Sequence, residues 1–171
     1  MEKRTGVVTF HGNPLTLIGP ELQVGDKAPN FHVVDNDLKP MTLTDFAGKV
    51  VVLSAVPSLD TPVCDMETRR FNMEAKKLGD EVQILTLSMD LPFAQKRWCG
   101  QAGVQNVRTL SDYQEASFGS AYGVLIDGLR LLARAVFVAD KEGVIRFVHI
   151  VPELTNEPDY DAVLDAIRKL L

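Results

Sequence analysis

Cysteine is scarce in this chain: 171 residues hold two, Cys64 and Cys99. Two thiols cannot complete a tetrahedral zinc site. The three histidines, His11, His32 and His149, are scattered over turn and strand patterns, so a metal centre or a Cys/His hydrolase has little support. The second cysteine of a C-x-x-C pair is also missing, because "WCG" at Cys99 continues into Gln101 and Ala102. A general disulfide exchanger is weakened accordingly. No Lys/Arg cluster occurs, the net charge is -5, and the pI is near 5.2. Nucleic-acid binding and a polybasic membrane patch are therefore not expected. No apolar run approaches membrane-spanning length, and "MEKRTGVVTF" alternates where a signal peptide would be continuously apolar. These absences predict a cytoplasmic protein without membrane contact. In that reducing compartment the two cysteines are reactive or simply buried, not a permanent structural bridge.

What is present fits one domain over residues 1–171, since 46% hydrophobic and 24% charged residues are enough to build and cover a core. No repeat, linker or low-complexity tract divides it. "GVVTF" and "LTLIG" around "HGNP" predict an N-terminal β-hairpin, and a short strand is expected near Phe31–Val34. "KVVVLSAV" is β-branched and continuous, the pattern of a central strand covered on both faces. A helix should follow to about Leu78, with Met66, Phe71, Ala75 and Leu78 on its inner face. "EVQILTLS" reads as a second buried strand, "PFAQKRWCGQAG" as a short helix carrying Cys99, and "VRTL" as a short strand. "ARAVFVAD" and "VIRFVHIV", joined by "KEG", pair as strands before an amphipathic helix in "YDAVLDAIRKLL". The class predicted is α/β, a central mixed β-sheet with helices on both faces.

The stretch "SAVPSLDTPVCDMET" carries the chemistry. With Thr61 as N-cap and Pro62 at the first helical position, Cys64 falls at the third, in the first turn of the helix. There the unsatisfied N–H groups and the positive end of the macrodipole favour a thiolate. Asp60, Asp65 and Glu67 oppose it, so a cation from elsewhere is needed. Arg134 is the candidate, because it interrupts the apolar strand "LLARAVFVAD" and a buried guanidinium requires an anion or several acceptors. The residues alone leave two readings open: an activated nucleophile facing Arg134, or a buried, inert cysteine and a solvent-reaching arginine.

Pro57, Thr61 and Cys64 match the Pro-x-x-x-Thr/Ser-x-x-Cys motif of the peroxiredoxins. Together with the N-terminal hairpin and the second cysteine in "FAQKRWCGQAG", the chain resembles the bacterial thiol peroxidase subfamily, the atypical two-cysteine peroxiredoxins, over nearly its whole length. The resemblance implies a thioredoxin-like fold and an antioxidant peroxidase that reduces hydrogen peroxide and organic hydroperoxides. It implies Cys64 as peroxidatic and Cys99 as resolving cysteine, joined in an intrachain disulfide, with Thr61 and Arg134 as polar and cationic partners and Pro57 shielding the sulfur. It further implies thioredoxin as reductant, a homodimer, and no metal, flavin or nicotinamide cofactor. A non-catalytic thioredoxin-like binding or chaperone module with packing cysteines is the alternative.

Overall fold

The computed structural model describes residues 1–171. β1 (Lys3–Phe10) and β2 (Asn13–Ile18) form the expected hairpin, turned by His11 and Gly12, both at positive φ, the two-residue geometry whose twist matches the strands. β3 (His32–Val34) is followed by β4 (Pro40–Thr42) and a 3₁₀ turn, Leu43–Phe46. β5 (Val50–Ala55) leads into α1 (Pro62–Leu78), and β6 (Val82–Ser88) into α2 (Pro92–Ala102). Then come β7 (Arg108–Ser111), the short α3 (Ser117–Ala121), β8 (Leu125–Ile126), β9 (Ala135–Ala139), β10 (Ile145–Ile150) and α4 (Tyr160–Arg168).

The seven-stranded sheet has the order β10-β9-β5-β6-β7-β3-β4. β5, β6 and β7 run parallel while β9, β10, β3 and β4 pair antiparallel, which makes the sheet mixed. β5 lies inside it, and all its residues are buried, as a continuous β-branched run requires. Alternation along β5 separates two cores. Val51, Leu53 and Ala55 face a cluster closed by Phe118 and Tyr122 and by the hairpin residues Val8 and Leu17. Val50 and Val52 face a second cluster with Cys64 and Phe71 of α1, Trp98 of α2 and Ile167 of α4. No helix is long and apolar enough to cross a membrane.

Three features differ from expectation. β4 and β8 leave no pattern in the sequence, since strands of three and two residues exist only through their partners β3 and β2. The hairpin also joins β8 in a separate three-stranded sheet. On α1, Met66 is half exposed and Met73 lies largely in solvent, while Glu67, Thr68 and Glu74 are buried with Cys64 and Phe71. The helix turns a partly polar face inward, a choice that hydrophobic spacing cannot reveal.

Candidate active site

Thr61 has extended backbone (φ -93°, ψ 147°) and Pro62 opens α1, so Cys64 stands in the first turn where the strand-to-helix junction puts it. Thr61 caps through its backbone only: its C=O accepts from Asp65 N–H at 3.0 Å. Its hydroxyl donates to the Ser58 carbonyl at 2.9 Å, and Cys64 is not among its hydrogen-bond partners. Pro57, two residues after β5, is buried. The loop is anchored by Asp90, which accepts from Ser58 Oγ at 2.7 Å and from Leu59 N–H at 2.9 Å.

Arg134 immediately precedes β9 and is buried. Its Nη1 donates to Cys64 Sγ at 3.2 Å, and its Nε and Nη2 both donate to the Leu154 carbonyl, at 3.1 and 2.9 Å. The fork is thus fixed by backbone on one edge and presents its charge to sulfur on the other. One turn after Cys64, the fully buried Glu67 lies with Oε1 3.7 Å from Arg134 Nη1, and its Oε2 accepts from Ser54 Oγ at 3.2 Å. Glu67 Oε1 has no hydrogen-bond partner. Burial raises the Glu67 carboxyl from 4.5 to about 7, against the opposing pull of the Arg134 guanidinium. Cys64, Arg134 and Glu67 therefore form a buried cluster in which two acidic groups share one cation.

Cys99 lies on α2 and is partly buried; both thiols are free. Its Sγ is 3.3 Å from Thr109 Oγ1 on β7, and Thr109 donates to Asn36 Oδ1 at 2.8 Å. Register places Ser54, Thr86 and Thr109 in one row across β5, β6 and β7. The Ser54 end of that row meets Glu67, and the Thr109 end meets Cys99. Neighbouring residues also connect the two helices: Trp98 Nε1 donates to Asp65 Oδ1 at 2.8 Å, and Arg69 pairs with Asp65 while lying over the Trp98 ring at 5.7 Å. A cleft of about 340 Å³ opens between them, lined by Thr61, Pro62, Asp65, Trp98 and Gln101 among others.

A family profile described as Redoxin matches residues 23–164. This chain belongs to the redoxin family. Among its redoxin relatives, the thiol peroxidase of Halalkalibacterium halodurans is 57% identical over 164 residues, covering 96% of this chain and 98% of that one. The thiol peroxidase of Bacillus subtilis is 52% identical over 164 residues with the same shares. A crystal structure of a peroxiredoxin-like protein from Aquifex aeolicus superposes with a TM-score of 0.91 at 47% identity, covering 98% of each chain. Within the redoxins the chain falls with the bacterial thiol peroxidases, and its architecture is the thioredoxin-like one. The reading as a non-catalytic module is not favoured by relatives of this identity and coverage.

Sequence reasoning did not assign the contacts made by Glu67, Ser54 and Leu154. By its sequence position Glu67 is only a charge opposing the thiolate, whereas in the fold it is buried against Arg134. The available signal was its position one turn after Cys64, on the same helix face. Leu154 acts through its carbonyl, which no side-chain pattern announces. The histidines lie apart from this cluster, with His149 Nε2 accepting from Asp159 N–H at 3.3 Å. No group of three or more His, Cys, Asp or Glu side chains is arranged to hold a metal ion.

Proposed function

We propose that this thiol-dependent peroxidase runs an intrachain two-cysteine cycle with Cys64 as peroxidatic and Cys99 as resolving cysteine. The observation that carries the reading is the 3.2 Å contact from Arg134 Nη1 to Cys64 Sγ, between two buried side chains at a helix start. A guanidinium there supports the thiolate before reaction and the departing oxygen during it. The Cys64 sulfur attacks the terminal oxygen of a hydroperoxide, the O–O bond breaks, and the alkoxide takes a proton to leave as an alcohol, or as water from hydrogen peroxide. Cys64 is left as a sulfenic acid. The Thr61 hydroxyl, at rest on Ser58, turns to the bound peroxide, and Pro57 shields the sulfur from water.

Cys99 then attacks the sulfenic sulfur, the S–O bond breaks, and water leaves as the Cys64–Cys99 disulfide forms. A dithiol protein restores both thiols by exchange, and thioredoxin is the reductant that the resemblance proposes. On this reading the enzyme serves cytoplasmic antioxidant defence, as a homodimer whose contact surface borders the Cys64 loop. The decisive experiment is hydroperoxide turnover coupled to thioredoxin. Wild type should turn over, Cys64→Ser should lose turnover entirely, and Cys99→Ser should react once and then stall. Turnover by Cys64→Ser at the wild-type rate would sink the assignment.

A further inference from the structure

The contact between Cys99 and Thr109 has a direction that can be worked out from its neighbours. Asn36 Oδ1 can only accept, and Thr109 Oγ1 lies 2.8 Å from it. A hydroxyl has one proton, so Thr109 places it on Asn36 and turns a lone pair toward Cys99 Sγ, 3.3 Å away. The sulfur must then be the donor, S–H to oxygen. Thr109 is almost fully buried, and β7 fixes its side chain on the face beneath α2 through the pairing of Thr109 with Thr86. Cys99 itself borders a cleft of about 570 Å³ that also touches Asp35, Asn36, Lys76 and Arg108, so its thiol is within reach of reagents.

We propose that Thr109 is a positioning residue that holds Cys99 as an anchored thiol in the reduced enzyme, with Asn36 setting the polarity of the hydroxyl. The proposal rests on the resolving role given to Cys99 above. It separates the two sulfurs chemically: Cys64 faces a cation, and Cys99 faces an oxygen that can accept its proton but has none to offer. Release is built in. When Cys99 joins Cys64, its proton leaves with the sulfenic hydroxyl as water, one S–S bond replaces one S–O bond, and no other oxidant is needed. Thr109 keeps its own proton on Asn36 throughout. It loses only a role as acceptor, so no buried donor is stranded.

The test reads Cys99 alone, in a Cys64→Ser background, by the rate of alkylation with iodoacetamide in the folded protein. Thr109→Val keeps the shape and deletes the acceptor, and should raise the rate about fivefold, the size of one neutral hydrogen bond. Thr109→Ser keeps the hydroxyl and should stay within about twofold of the parent by the same measure. Asn36→Ala frees the hydroxyl proton to turn toward sulfur, so it should speed alkylation when Thr109 is present and add nothing to Thr109→Val, a coupling only contacting groups show. An unchanged rate in Thr109→Val, an equal rise in Thr109→Ser, or an Asn36→Ala effect that survives in Thr109→Val would overturn the proposal. Turnover of Cys99→Ser separates it from the parent reading. Normal recycling there removes Cys99 from the cycle and with it the resolving role, whatever the alkylation rates are.

Discussion

Replacing Glu67 by glutamine removes one titration from the buried cluster without changing its shape, and the pH dependence of stability should record the loss. In the native state Glu67 binds its proton at about 7, against an ordinary value of 4.5, because burial disfavours the carboxylate more than Arg134 favours it. A raised carboxyl contributes stability that is fully present below 4.5 and is lost as pH rises through about 7. At about 1.4 kcal/mol per unit, the loss is about 3 kcal/mol as an order of magnitude. Glutamine does not titrate, and it can offer its oxygen to Arg134 and its amide to Ser54. Asp112, held near 6 by burial, tilts the curve in the same direction but is common to both proteins and cancels in their difference. Urea unfolding across this range should therefore show Glu67→Gln gaining on wild type between about pH 4.5 and 7 and holding a constant lead above it. Two curves that stay parallel through the whole range would refute the placement of a proton-binding carboxyl beside Arg134.

Arg134→Met should lose turnover by about a hundredfold, with a stability loss that grows above about pH 7, where Glu67 would otherwise be ionised beside its cation. Adding Glu67→Gln should return most of the stability and none of the rate; a double variant with restored turnover would take Arg134 out of the chemistry. Trp98, the sole tryptophan, adjoins Cys99 and donates to the neighbour of Cys64. Its emission should shift when Cys99 leaves Thr109 for the disulfide with Cys64, and an unchanged spectrum in the oxidised form would mean that the surroundings of Trp98 do not change in the cycle. Sedimentation at micromolar concentration should give a dimer, against which a fully active monomer would count.

Much of the fold could be read in advance because its strongest elements are locally determined. The β-branched run of β5 and the Thr61-Pro62 junction each state their structure within a few residues, and α1 ends near Leu78 as its period implies. The inner face of α1 could not be read this way. Glu67 is accommodated by Ser54 and Arg134, and Arg134 lies far along the chain, so burial of that carboxylate is decided by tertiary partners and not by helical period. The same holds for Cys99: its helix was legible, but Thr109 and Asn36 come to it only through the pairing of β7 with β6 and β3.

The Leu154 carbonyl that steadies Arg134 belongs to a short segment after β10, and that segment is itself held from outside. Thr9 N–H donates to the Pro152 carbonyl at 2.8 Å, Leu154 N–H donates to Thr9 C=O at 2.9 Å, and Glu153 accepts from Gly12 N–H and Thr9 Oγ1, each at 2.9 Å. The N-terminal hairpin thus works as a bracket, and residues 152–154 are the strap it pulls tight around the guanidinium. The setting of Arg134 beside the Cys64 sulfur thus depends on residues near the chain's start that share no hydrogen bond with either. Loosening the bracket at Thr9 or Gly12 should blunt the nucleophile without altering any group within reach of the peroxide.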